Sequence, residues 1–163
     1  MPRFAEVHHS EWINAPRDTV RRQFADLRHH ISTQVHPKLR FEVLAQDEHS
    51  ARYVQEVRLL GLRQRDVFER SIADDGSMRD VSVEGFNRGG SLDFTFAPEA
   101  GGTRVDICIR LPVPAPLALL RRLLEAQIRR ELRTASAEDK HDIEVRGYPT
   151  PMRRVPAYRT AAS

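Results

Sequence analysis

Cysteine, lysine and long apolar runs are the scarce ingredients of this 163-residue chain. Its single cysteine, Cys108, excludes an intramolecular disulfide and any metal site built on a cysteine cluster. Apolar runs such as Leu117 to Leu120 fall far below the roughly 18 residues that cross a bilayer, which excludes a membrane-spanning helix. The first ten residues alternate polar and apolar and have no secretory character, so the expectation is a cytoplasmic protein. Lys38 and Lys140 are the only lysines, leaving 24 arginines among 26 basic residues, against 23 acids. The net charge is +3, of which the segment 141–163 carries +2, so the body of the chain stands near +1. A near-neutral body with interspersed signs argues against a nucleic-acid groove. The arginine excess is read as a compositional preference of the host, and an arginine with a special role would be one whose strand phase points inward.

What is present is enough for one globular core: 40% of the residues are hydrophobic and 30% charged, at single-domain length. Residues 4–14 alternate as a strand, with Val7, His9, Glu11 and Ile13 on one side. Pro16 suits the first turn of a helix, and Val20, Phe24, Leu27 and Ile31 then form a helical stripe, with a break into two short helices anticipated near Asp26. From Leu39 to Leu111 the period becomes two, in six segments separated by turns at Asp47-Glu48-His49, Gly61, Asp74-Asp75-Gly76, Asn87 to Gly90 and Ala100 to Gly102. These connections are too short for helical crossovers, so the strands form an antiparallel meander. After Pro112 to Pro116 a helical period returns, with Leu117, Leu120, Leu124, Ile128, Leu132 and Ala135 on one face through about Lys140. The domain is expected to cover 1–146, with a proline- and arginine-containing flexible tail over 147–163.

The order strand, one or two short helices, six strands and long helix makes an α+β protein whose seven strands curl around the C-terminal helix. Glu11-Trp12-Ile13-Asn14-Ala15-Pro16-Arg17-Asp18-Thr19-Val20 and the Gly101 to Val105 turn, followed by an alternating strand and a proline-led final helix, carry a resemblance. The chain resembles the START and birch-pollen-allergen-like superfamily, also called SRPBCC or the helix-grip fold, and within it the polyketide cyclase/dehydrase and lipid-transport branch. The resemblance spans about Phe4 to Lys140 and implies a hydrophobic-ligand cavity between sheet and helix. It implies no shared catalytic residue set.

Strand phase then nominates the lining of such a cavity. Tyr53, Gln55, Val57 and Leu59 share a face, as do Leu62, Gln64, Asp66, Phe68 and Ile72, and Leu92, Phe94 and Phe96 supply an aromatic wall. With Leu120, Leu124 and Ile128 from the last helix these give the candidate ligand-binding set Tyr53, Gln55, Gln64, Asp66, Phe68, Phe94, Phe96, Leu120, Leu124 and Ile128. An inward Asp66 would need a partner or a raised pKa, and would be a proton-transfer candidate together with Glu11 and His9. The plainer and preferred reading has Asp66 facing solvent beside Arg63 or Arg65. Cys108 falls on the solvent side with Arg104, Asp106 and Arg110, with no mark of a nucleophile. No metal is expected, since none of the seven histidines shows a chelating spacing, and His29 and His30 lie about 100° apart on a helix. They read as solvated or capping side chains, with a through-space set such as His9, Glu11 and His30 left open.

The leading function is binding of a small hydrophobic molecule, such as a lipid, a quinone-like compound or an aromatic polyketide. The alternative is a cyclase or dehydratase using an inward carboxylate or histidine. A third reading is a protein-interaction module working through the first helix or the tail. No cofactor is expected, and the assembly is monomer or homodimer. A cavity lined only by apolar or amide groups would overturn the enzyme reading, and a histidine and carboxylate within hydrogen-bond reach there would overturn the passive-carrier reading instead.

Overall fold

The computed structural model describes residues 3–149. The tail expected over 147–163 therefore lies almost wholly outside the described residues. Seven strands, β1 (Arg3–Ile13), β2 (Arg40–Gln46), β3 (Ser50–Leu59), β4 (Leu62–Ile72), β5 (Met78–Gly85), β6 (Ser91–Glu99) and β7 (Gly102–Val113), form one sheet. Its order is β1-β7-β6-β5-β4-β3-β2, antiparallel throughout. Strands β2 to β7 are thus a pure meander, and β1 closes onto β7 with Arg3 opposite Val113 and Ile13 opposite Thr103. Every turn anticipated from the glycine and aspartate clusters is where the sequence puts it. Bulges at Val43/Ala45 and Val67/Phe68 bend the sheet. Gly85 sits beside the second bulge with φ +112°, where a Cβ would collide with the Arg65 carbonyl and with Asp66, so only glycine fits.

Two short helices follow β1: α1 (Arg17–Ala25) and α2 (Leu27–Thr33), divided at Asp26. Asp26 leaves helical geometry, and its carboxylate then accepts from the His29 backbone N–H at 3.0 Å, capping α2. The break redirects the stripe. Val20, Phe24 and Leu27 are buried as their spacing requires, but Ile31 is 40% exposed and the inward position of α2 goes to His30. Helix α2 ends on Gln34 in the left-handed conformation, and the chain turns so that Val35 and His36 are also buried.

The last helix, α3 (Arg121–His141), begins later than its apolar pattern suggests, because Ala115–Leu120 winds as a tighter 3-10 segment after Pro114. Leu120 consequently points out, 43% exposed. Leu124, Ile128 and Leu132 bury at successive turns of α3, each contributing roughly 1.5–3 kcal/mol of apolar transfer. The buried stripe then continues into Ser136 and Asp139, where the sequence alone points to Ala135. Helix α3 lies along the edge strand β1 and reaches the end of β3, where Gln127 accepts from the Leu60 N–H at 2.6 Å, so strands from both halves of the sheet hold it. A π-helical turn, Asp142–Gly147, ends the described helical region. Among the described residues no helix is long and apolar enough to cross a membrane.

Candidate functional site

Between the sheet and α3 lies a cavity of about 170 Å³, more than ten times the roughly 10–15 Å³ that one buried water needs. Most of its wall is apolar, from Val57, Leu59, Leu92, Phe94, Ile107 and Leu111 among others. Two bonded clusters of polar groups stand on that wall, besides Gln55, Asn87, Lys38, Glu131 and Thr134.

The first joins three strands. Arg70, in phase with Gln64, Asp66 and Phe68 on β4, is the arginine whose strand phase points inward, and it is 6% exposed. Its guanidinium donates to both oxygens of Asp80 on β5, at 2.7 and 2.8 Å, and to the Phe24 carbonyl at 3.0 Å. The Tyr53 hydroxyl donates to Asp80 at 2.6 Å, and the guanidinium lies over the rings of Tyr53 and Phe94. A buried charge is tolerable when paired and hydrogen-bonded, and here each of the three guanidinium nitrogens has an acceptor. Burial pushes the Tyr53 phenol well up and the Asp80 carboxylate adds to it, so Tyr53 stays a neutral donor.

The second cluster joins α1, α2 and α3. His30 and His36 both aim Nε2 at the same oxygen of Asp139, at 3.0 and 3.4 Å. The remaining ring nitrogen of each is held from behind, His30 Nδ1 by the Asp26 carbonyl at 2.7 Å and His36 Nδ1 by Glu138 at 2.8 Å. Gln23, fully buried, donates to Asp139 at 3.0 Å and to Asp142 at 3.1 Å, and Asp142 also meets His29 Nε2 at 2.7 Å. Burial opposes charge on His36, but the Asp139 and Glu138 carboxylates outweigh it and raise its pKa to about 9. For Asp139 burial likewise opposes ionisation, and His36 and His30 hold the carboxyl well below the usual range. An aromatic series, His30, His36, Phe41, Tyr53 and Phe68, with successive centroids 5.2 to 6.3 Å apart, links the two clusters.

The nominated residues divide by position. Tyr53, Gln55, Phe68, Phe94 and Ile128 line the cavity, with Val57 and Leu59. Phe96 packs on Phe24 in the core with centroids 5.5 Å apart, and Leu124 is core too, while Leu120 is on the surface. Gln64 and Asp66 face inward rather than toward solvent, contrary to the plainer sequence reading of Asp66, but they serve the β5–β6 turn. Asp66 accepts from the Asn87 N–H at 2.6 Å, the Asn87 amide at 2.8 Å and Ser82 at 3.1 Å, and Gln64 accepts from Asn87 at 2.9 Å. Glu11 and His9 face α3 outside the cavity lining, where Glu11 takes a 3.3 Å bond from Lys140.

Cys108 pairs across the sheet with His8, Sγ to Nε2 3.8 Å, and burial followed by the Glu6 and Asp93 carboxylates pushes the thiol up rather than down. His29, His30 and His36, expected as solvated or capping groups, are instead committed to carboxylates of the C-terminal helical region. The signal that could have found them is the α3 stripe itself: the four-residue step Leu124, Ile128, Leu132 runs on to Ser136 and then Asp139, which need buried partners.

Seven antiparallel strands gripping a long C-terminal helix over an apolar cavity define the helix-grip fold shared by START and birch-pollen-allergen-like proteins. No protein-family model and no curated protein matches the sequence. Among solved structures the chain is similar to TTHA0849 from Thermus thermophilus, with 24% identity, a TM-score of 0.76 and coverage of 85% of this chain and 96% of that one. It is similar to the Zhui aromatase/cyclase from a Streptomyces species, with 16% identity, a TM-score of 0.69 and coverage of 89% and 99%. A START superfamily protein from Mycobacterium smegmatis aligns with 15% identity, a TM-score of 0.64 and coverage of 80% and 92%. Identities this low speak to the fold, and the function has to be argued from the site.

Proposed function

We propose that the chain binds a small, largely apolar molecule in the cavity between sheet and α3. The observation that carries this reading is the composition of the wall: a mainly aliphatic and aromatic surface carrying polar groups of which Tyr53, Arg70, Asp80, His30, His36 and Asp139 are bonded to one another or to neighbouring side chains. Such a wall gains from desolvating an apolar ligand, while Gln55, Tyr53 and the histidine cluster offer orienting contacts to one polar end. Native mass spectrometry of freshly purified protein, followed by denaturing extraction, tests it. A hydrophobic molecule retained in the native state and released on unfolding is expected. A protein that carries none, and that takes up no apolar fluorescent probe, would overturn the reading.

A second reading, in which the chain transforms what it holds as a cyclase or dehydratase, is favoured by one observation. Ionisable groups in hydrogen-bond contact, His30 with Asp139 and His36 with Glu138, stand on the cavity wall. A passive carrier for an apolar molecule has no need of them. The solved aromatase/cyclase of the same fold gives this reading a precedent in fold alone. Turnover of a polyketone substrate that is lost in His36→Gln, with ligand uptake retained, is the result expected of it.

A further inference from the structure

We propose that His30, His36 and Asp139 form a binding site for a divalent transition-metal ion at the polar end of the cavity. Two imidazoles and one carboxylate, all buried, present ligand atoms that lie within 4.8 Å of one another. A metal held at about 2.0–2.1 Å from each nitrogen and oxygen requires ligand atoms about 2.9–3.4 Å apart. Two of the three separations, 3.0 Å from His30 and 3.4 Å from His36 to the Asp139 oxygen, match that requirement, and the two imidazole nitrogens lie within 4.8 Å of each other.

The surroundings are those a metal site needs. A ligating imidazole is oriented by donating its second ring N–H to a carbonyl or carboxylate, which leaves the other nitrogen's lone pair for the ion. Here the Asp26 carbonyl takes that role for His30 and the Glu138 carboxylate for His36, so both rings are turned with Nε2 toward Asp139. Gln23 holds the Asp139 carboxylate in turn. Ser136, one turn before Asp139 on α3 and on the cavity wall, keeps a buried hydroxyl with no hydrogen-bond partner. Three protein ligands leave coordination positions open for a water or an oxygen of a bound molecule; all three, like Ser136, stand on the cavity wall. A nitrogen-rich set with a single carboxylate suits zinc or ferrous iron and does not suit magnesium or calcium, which take oxygen. Binding requires a free lone pair on each Nε2, so affinity falls with acidity, and no redox step is involved.

A competing cluster, Glu6, His8 and Cys108, lies on the exposed face of the sheet and includes a sulfur. The test uses untagged, full-length protein stripped of metal with a chelator, then titrated with Zn²⁺ against a chromophoric competitor and with Co²⁺ by visible absorption. One equivalent of Zn²⁺ is expected, with affinity at least tenfold weaker in His36→Gln and in Asp139→Asn, and unchanged in Cys108→Ser. X-ray absorption of the zinc-loaded wild-type protein should show imidazole and oxygen scatterers with no sulfur, which decides the question even if a variant fails to fold. Absence of saturable binding, a sulfur ligand, or loss of binding in Cys108→Ser alone would overturn the proposal. None of these readouts depends on a cavity ligand, so the site and the ligand-binding reading stand or fall separately.

Discussion

The Arg70 guanidinium grips the Asp80 carboxylate through two parallel bonds of 2.7 and 2.8 Å, across adjacent strands on the cavity wall. Both groups are buried, so removing one partner leaves the other charge without its counterion away from bulk solvent. Arg70→Met or Asp80→Asn alone is expected to cost about 3–5 kcal/mol of folding stability. The double variant Arg70→Met, Asp80→Leu removes both charges and is expected to lie closer to wild type than either single change. Urea unfolding curves measure this, and single-variant costs below about 1 kcal/mol would show the pair to be hydrated.

Asp66 receives three donors, from the Asn87 backbone, the Asn87 amide and Ser82, and so anchors the β5–β6 turn. Asp66→Asn replaces one acceptor oxygen by a donor, leaving a donor facing a donor. A loss of about 1–3 kcal/mol is expected, with ligand uptake at saturation unchanged. Uptake abolished in a variant that remains fully folded would instead return Asp66 to the binding machinery.

Leu92 and Phe94 project from β6 into the cavity, where the wall is apolar. Leu92→Trp fills part of a 170 Å³ space with a larger ring. At least a tenfold weaker affinity for an apolar fluorescent probe is expected, with a modest cost in stability of about 1–3 kcal/mol from overpacking. Unchanged probe affinity would place binding elsewhere on the molecule.

The Cys108 thiol is pushed up by burial first, then by the Glu6 and Asp93 carboxylates. The reactive species is the thiolate, and each of these influences disfavours a negative charge, so the thiolate population grows only at a pH above the ordinary cysteine range. The alkylation rate should therefore be low near neutrality and still rising at about pH 9. A plateau reached by about pH 8 would contradict the environment described for this side chain.

The element order, the meander and its turns were legible in the sequence because they are written in local terms. Period two, period 3.6 and glycine or aspartate at tight turns act over a few residues, and the strand phase of Tyr53, Gln55, Val57 and Leu59 carried directly into the cavity wall. Phase puts Gln64 and Asp66 on the same face as Phe68, but the plainer reading leaves Asp66 in solvent, and no local pattern shows that Asn87 turns both to its own use. Ile31 and Leu120 show the limit on the helices: their spacing is apolar and regular, yet a break at Asp26 and a 3-10 start to the last helix rotate both to the surface.

By itself, then, the sequence determined an antiparallel sheet of seven strands closed around a C-terminal helix, since periodicity and turn chemistry leave little other choice. Only the tertiary structure decided which polar residues meet. His30, His36 and Asp139 are brought together by the redirection at Asp26, the left-handed turn at Gln34 and the wrapping of the sheet around α3. More than 100 residues separate His30 from Asp139, and no local pattern spans that distance. Burial makes their convergence consequential, because in a water-poor interior each of these groups must find a partner or remain at a cost of several kcal/mol.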